Sequence, residues 1–351
     1  MDLFETEDNR APPGAVVSVV RAEDGLLLRV ARWTPQAAAP PRGCVAVLQG
    51  RAECIEKYFE TIGELLARNF VVVALDWRGQ GLSERELPNR RKGHIDDFSL
   101  YRRDIAALVA DVLEPHCPRP WFALAHSMGA AILLSAARAG LSPFSRIVAT
   151  APMIEIAGVS RPHLTRAIIE ALDIFGLGAH FIPGGGETSS MTRPYAGNPL
   201  TSDPARYARN ARIVAAAPQL ALGDPTIGWL NAAFRVTNAF ADADFPRRLS
   251  TPLLAFGAGA DVVVSMQAAA RFVAHMKAGR LIVLAQARHE ILQERDAIRA
   301  QFWAAFDAFV PGAQVAHRAT AAPAPVDARS RRWLRRLARP FFSRQTPRAV
   351  S

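Results

Sequence analysis

The sequence predicts an α/β domain: a mostly parallel central sheet with helices on both faces and an inserted helical cap. Three observations carry that expectation. Short apolar runs alternate with amphipathic stretches through residues 15–152. The rhythm stops between 153 and 247, where patches of helical spacing are punctuated by Pro and Gly. It resumes with two more apolar runs, at 251–259 and 280–287.

The elements follow in order. "AVVSVV", a turn at Glu23-Asp24-Gly25 and "LLLRVARW" read as a hairpin. "CVAVLQG" (44–50) is a short buried strand ending in glycine. Ile55, Phe59, Ile62 and Leu66 then share one helical face. "FVVVALD" (70–76) is β-branched, too short for a helix and apolar enough for a strand covered on both faces. Asp96 or Asp97 caps a helix carrying Tyr101, Ile105, Leu108 and Val112. "WFALAHS" is a strand and "MGAAILLSAARAG" a helix with a C-terminal glycine. "SRIVATAP" (145–152) is the next strand. Residues 153–247 hold helical patches such as "PHLTRAIIEALDIFG" and "TIGWLNAAFRVTNAF". The glycines of "PGGGETSS" follow no strand and precede no Gly-Lys-Ser/Thr, so they form a loop and not a phosphate cradle. "TPLLAFGAG", a helix around 264–278, "RLIVLAQA" and a helix bearing Ile298, Phe302, Phe306 and Phe309 complete the sheet. The expected division is a core of 1–152 and 248–311, a cap of 153–247, and an Ala/Pro-rich linker with a basic tail over 312–351, disordered in solution.

Charge and composition narrow the class. The 351 residues are half apolar, and no run of about 20 apolar residues exists to span a bilayer. The opening "MDLFETEDNRAPPG" is acidic and lacks a signal-peptide core, and the three cysteines (Cys44, Cys54, Cys117) have no metal spacing. A reduced, cytoplasmic setting is expected. Of the net charge of +10, residues 312–351 supply nine arginines against one aspartate, which leaves about +2 for the body. No nucleic-acid partner is expected. Around Trp333, Leu334, Leu337 and Phe341, the residues Arg331, Arg332, Arg335, Arg336 and Arg339 make a basic amphipathic segment suited to an anionic membrane surface.

"FALAHSMGA" (122–130) is the stretch that points to chemistry. A strand runs into a helix through one serine, with small residues two positions before and after it. That is how a nucleophile elbow exposes a hydroxyl, although Ala125 stands where the usual G-x-S-x-G has glycine. Ser127 alone could equally be a helix N-cap. Asp261 and His289 decide between the two readings: each follows one of the last two strands, in the chain order Ser…Asp…His that this architecture uses. Each also has a plainer role available, as the cap of the helix behind it. Met128 follows the nucleophile and Arg51 follows Gly50, and their backbone N–H groups are the expected oxyanion donors. Asp76 is read as a loop brace, and His126 as a residue that shapes the elbow. The Arg51 and Arg78 side chains, on loops at the same end of the sheet, are candidate head-group contacts, with Gly50 letting the chain approach closely. No metal or organic cofactor is called for.

"LQGRAE", "LDWRGQGLSE", "AHSMGA", "GAGADVVVS" and "ARHEIL", in this order, resemble the α/β-hydrolase superfamily over about residues 15–310. Within it they resemble bacterial lysophospholipases and monoacylglycerol lipases. "QGRAE" and "RHEILQERDAIR" look closer to the lysophospholipase branch, since Gln49 stands where the monoacylglycerol lipases carry histidine. The resemblance implies the α/β-hydrolase fold and ester hydrolysis by Ser127, Asp261 and His289. Lysophospholipids are the implied substrates, with monoacylglycerols or a broad range of carboxylic esters as the alternative. A non-catalytic hydrolase-fold protein that binds lipid or membrane is the reading outside enzymes. The enzyme would sit in the cytoplasm, peripheral to the inner membrane surface.

Overall fold

The computed structural model describes residues 2–311. The basic segment with Arg331, Arg332, Trp333, Arg335, Arg336 and Leu337 lies outside the described residues.

Eight strands form one sheet. A hairpin, β1 (Val16–Arg21) and β2 (Leu27–Trp33), opens it, and β2 runs antiparallel to β4 (Val71–Leu75). From β4 onward all pairings are parallel, through β3 (Cys44–Leu48), β5 (Trp121–His126), β6 (Arg146–Thr150), β7 (Leu253–Ala258) and β8 (Gly279–Leu284). The spatial order is β1-β2-β4-β3-β5-β6-β7-β8. Every residue of β3, β4, β5 and β7 is buried, which explains why these strands read as continuous apolar runs and not as alternation.

The two faces of β3 separate the core. Val45 and Val47 pack with Phe59, Ile62 and Leu65 of α1 (Phe59–Ala67) and with Phe302 and Phe306 of the last helix. Ala46 and Leu48 point the other way, toward Ile105 and Leu108 of α2 (Tyr101–Leu108) and Ile132 and Leu133 of α3 (Met128–Arg138). Asp97 starts this second layer by accepting the Ser99 N–H at 2.7 Å.

Between β6 and β7 lie α4 (Pro162–Leu172), α5 (Pro204–Ala216) and α6 (Ile227–Phe240). Among the described residues this insertion has no strand beyond single bridges, Ile156 to Val264 and Phe181 to Thr226. Its α5 is clamped to the body: Arg206 and Arg209 reach Glu60 of α1 at 2.6 and 2.7 Å. Arg299 of the final helix joins the same carboxylate at 2.7 Å. By contrast α4 leaves Leu164 and Ile168 about half exposed, and Ile174 and Phe175 just beyond it are 76% and 82% exposed. The described residues close with α7 (Met266–Ala274), capped by the Ser265 hydroxyl, and α8 (Asp296–Phe309). No helix among the described residues is long and apolar enough to cross a membrane.

Candidate active site

The turn between β5 and α3 consists of Ser127 alone. Its φ of 48° and ψ of −111° form a conformation that non-glycine residues avoid, and such strain persists only where the surroundings enforce it. Here they do. The Ser127 N–H donates to the Thr150 carbonyl at 3.0 Å, and the Ser127 carbonyl accepts from Ala131 and Met153, both at 3.2 Å. A Cβ on Gly129 would lie 2.6 Å from the Gln49 carbonyl oxygen and closer still to that of Leu48, so α3 packs on β3 through bare backbone. Ala125 lies in register between Leu48 and Ala149 and is fully buried; its methyl group is accommodated in the core.

Two loops bring the partners. His289 follows β8, and its Nε2 lies 3.0 Å from the Ser127 hydroxyl oxygen. Its Nδ1 lies 2.8 Å from Asp261 Oδ2. With Nδ1–H donating to the carboxylate, Nε2 is left to accept from the serine O–H. Asp261 uses its other oxygen to accept from the Val263 and Val264 N–H groups at 2.8 and 3.1 Å, which fixes the carboxylate on its own loop. Burial pushes the Asp261 carboxyl up. The hydrogen bond and charge of His289 and these two N–H donors outweigh that and hold it below the usual aspartate value. Asp261 is therefore both a loop brace and a partner of the imidazole. The cap of α7 is Ser265, and Asp261 does not compete for that role.

Behind the serine stands a buried charged cluster that sequence reasoning missed. Glu53 accepts the Gly50 N–H at 2.5 Å, the Tyr58 hydroxyl at 2.6 Å and the Lys57 ammonium at 2.7 Å. The loop carrying Arg51 is folded around this carboxylate. A Cβ on Gly50 would meet the His126 ring at 2.8 Å, so Gly50 is needed for close approach. Glu290 shares Lys57, with its Oε1 2.6 Å from Nζ. Burial raises both carboxyls. Lys57 and His126 bring Glu53 down to about 2, while Glu290, close to that second carboxylate, stays above its usual value. The spacing of Glu53 and Lys57, four apart on an emerging helical turn, was the available signal. His126 Nδ1 lies 3.1 Å from both the carbonyl oxygen and the hydroxyl oxygen of Thr150, the carbonyl accepting its N–H, and the ring lies 4.8 Å, centre to centre, from His289. Its pKa is pushed down to about 4, mainly by burial, so it is neutral at neutral pH.

The other residues singled out in the sequence separate. Asp76 braces loops: it accepts from Ile55 and Leu82 N–H groups and from Arg29. Arg51 and Met128 both line a cavity of about 560 Å³ that opens onto Ser127 and His289. Its walls are largely apolar, from Met153, Trp229, Leu230, Phe234, Val263 and Val264 among others, with Glu290 among the polar exceptions. Arg78, expected as a head-group contact, does not line this cavity. It is buried in ion pairs with Asp24 and Asp104, at 2.8 and 2.7 Å, and both its sides are taken. Chain position brought it to the correct end of the sheet, but two distant carboxylates then claimed it.

Residues 39–296 match the family described as serine aminopeptidase, S33. Lysophospholipase L2 of Escherichia coli K12 is 33% identical over 268 residues, covering 73% of this chain and 76% of that protein. A probable lysophospholipase L2 of Haemophilus influenzae is 29% identical over 262 residues, covering 74% of this chain and 80% of that protein. Among solved structures, a soluble variant of monoglyceride lipase from Saccharomyces cerevisiae, in complex with a substrate analogue, superposes with a TM-score of 0.66. It covers 83% of this chain and 94% of its own at 18% identity, which speaks for the fold alone. A match over most of the chain, on an eight-stranded sheet with a strained serine between its central strand and helix, leaves one lineage: the chain belongs to the serine aminopeptidase S33 family of α/β hydrolases and is lysophospholipase- and monoacylglycerol-lipase-like within it.

Proposed function

We propose that this carboxylic ester hydrolase cleaves the acyl ester of lysophospholipids through an acyl-enzyme on Ser127. His289 Nε2 takes the Ser127 proton as the hydroxyl oxygen attacks the ester carbonyl. The carbonyl oxygen becomes an oxyanion, held by the N–H groups of Met128 and Arg51. Asp261 keeps the imidazole in the productive tautomer and stabilises its cation. The C–O bond to the glycerol then breaks, His289 returns the proton to the leaving alkoxide, and the acyl group stays on Ser127. Water repeats the sequence, with His289 again as base, and releases the fatty acid. The cycle uses no metal or organic cofactor.

The observation that supports this reading most is the Asp261–His289–Ser127 hydrogen-bonded chain opening onto a largely apolar cavity of about 560 Å³. The names of the Escherichia coli and Haemophilus influenzae relatives favour a lysophospholipid over other esters. In this reading 153–247 is a cap over the strand ends that supplies the acyl-chain walls. The exposed Leu164, Ile168, Ile174 and Phe175, together with the basic tail, hold the enzyme peripherally on the inner membrane surface where its substrate resides. Two measurements test the chemistry. A fluorophosphonate probe should label the wild-type chain and not Ser127→Ala, and Ser127→Ala should lose lysophospholipid turnover while keeping its fold. Turnover retained by Ser127→Ala, or a wild-type serine that never reacts, would overturn the proposal.

A further inference from the structure

We propose that Arg51 and Glu290 form a head-group subsite that selects a zwitterionic phosphodiester bearing an amine; this deepens the ester-hydrolase reading and rests on it.

Arg51, half-buried, differs from the buried Arg29, Arg78 and Arg299. Arg29, Arg78 and Arg299 each hold two carboxylates. Among the described residues Arg51 has no ion pair. Its guanidinium donates through Nη2 to the Gly223 carbonyl at 3.0 Å and lies over the Trp229 ring at 5.0 Å. Its Nε is buried with no hydrogen-bond partner, and the residue lines the cavity beside Ser127. Burial lowers its pKa to about 10, with Tyr101 and Asp224 acting in the opposite direction, so it is still cationic at neutral pH. An enclosed cation without a counter-ion is costly unless a ligand supplies the anion. A phosphodiester does so, and a planar guanidinium suits its oxygens.

Glu290 supplies the complementary half. It lines the same cavity, and its Oε2 is buried with no hydrogen-bond partner. Glu53 and Glu290 share the one ammonium of Lys57, so two carboxyl groups on this side of the wall have a single cation between them. A lone anion would meet Arg51 but be repelled by that carboxylate pair. A neutral glycerol head can hydrogen-bond to either group but brings no charge to match them. A phosphate carrying an amine answers both, the phosphate at Arg51 and the N–H donors at Glu290 Oε2.

The experiment uses the full chain with Ser127→Ala, so that binding is read without turnover. Lysophosphatidylethanolamine, lysophosphatidylglycerol and monoacylglycerol of one acyl chain are titrated calorimetrically below their micelle concentrations. The amine-bearing phospholipid should bind about tenfold or more tighter than the monoacylglycerol, with the glycerol phospholipid between. Adding Arg51→Gln should bring the ethanolamine-to-monoacylglycerol ratio close to one, and Arg51→Lys should restore most of it. Glu290→Gln should erase only the gap between the two phospholipids. Equal affinity of the Arg51-containing chain for phospholipid and monoacylglycerol would overturn the subsite, as would an Arg51→Gln ratio within about twofold of the parent. If Arg51→Gln does not fold, the ligand series on the parent chain decides alone. Failure of the ester-hydrolase reading shows elsewhere, as a wild-type chain that neither turns over ester nor reacts with the fluorophosphonate.

Discussion

Gly129→Ala tests whether the elbow owes its geometry to bare backbone contact. The new Cβ would lie 2.6 Å from the Gln49 carbonyl oxygen and 2.9 Å from the Leu48 carbonyl carbon, with the Leu48 oxygen nearer still. Real Cβ contacts essentially never fall below 3.0 Å, so α3 must retreat from β3 by at least roughly 0.4 Å. The strand cannot yield instead, because β3 is hydrogen-bonded to β4 on one side and β5 on the other. The retreat separates the two elements that carry the proposed oxyanion donors, Met128 on α3 and Arg51 behind β3. It also moves Ser127, whose Oγ now sits 3.0 Å from His289 Nε2. Overpacking of this kind costs about 1–3 kcal/mol in stability. Misplacement approaching 1 Å costs on the order of 10²-fold in rate. The assay is kcat/KM on a short-chain nitrophenyl ester, with the fluorophosphonate reaction rate and near-UV circular dichroism alongside. We expect a folded protein, a kcat/KM lower by on the order of 10²-fold and slower labelling. A folded Gly129→Ala enzyme within about threefold of wild type would refute the claim that this contact sets the donor geometry. Ala125→Gly is the matching control. It restores the usual glycine, removes only a buried methyl from a paired strand position, and should cost about 1 kcal/mol with far less effect on rate.

Other consequences are open to direct measurement. Arg29→Met leaves Glu56 and Asp76 buried and unpaired, and should lower unfolding free energy by about 3–5 kcal/mol; a denaturant midpoint shift worth under about 1 kcal/mol would contradict this. His126 is held near pKa 4 by burial, with His289 and Lys57 adding and Glu53 opposing, against 6.5 for the free side chain. The unfolded chain thus binds the extra proton first. This contribution is complete above pH 6.5 and disappears as pH falls toward 4, on the order of 3 kcal/mol in all. Denaturation curves across that window should lose part of their slope in His126→Gln, and an unchanged slope would show the imidazole titrates freely. Phe175→Asp with Ile174→Asp removes two exposed apolar side chains from the α4 end of the insertion, and co-sedimentation with anionic vesicles should fall about tenfold or more. Undiminished binding would assign membrane contact to another surface.

The fold was legible because its signals are local. Each of β3, β4 and β5 is a short run buried on both faces, and each helix behind them declares itself by one apolar stripe. The elbow was legible for the same reason: a one-residue turn squeezed between a strand and a helix restricts its neighbours to small side chains. Chain order then led to Asp261 and His289, which the structure brings to 2.8 and 3.0 Å contacts around the imidazole.

Charged side chains were not legible in this way, and Arg78 and Arg51 show why. Both follow the carboxyl end of a central strand, β3 for Arg51 and β4 for Arg78, at the same end of the sheet. Asp24 lies 54 residues from Arg78 and Asp104 lies 26 away, and only the folded sheet brings both to that guanidinium. Among the described residues no carboxylate forms an ion pair with Arg51. The Glu53–Lys57–Glu290 cluster was hidden likewise, since its third member comes from the opposite end of the core. What an arginine can do for a ligand is therefore decided by the carboxylates the fold has already spent on it. Arg78 is fully committed to structure, whereas Arg51, half-buried in the cavity wall beside Ser127 with its Nε unpaired among the described residues, keeps its charge available for the proposed head-group subsite.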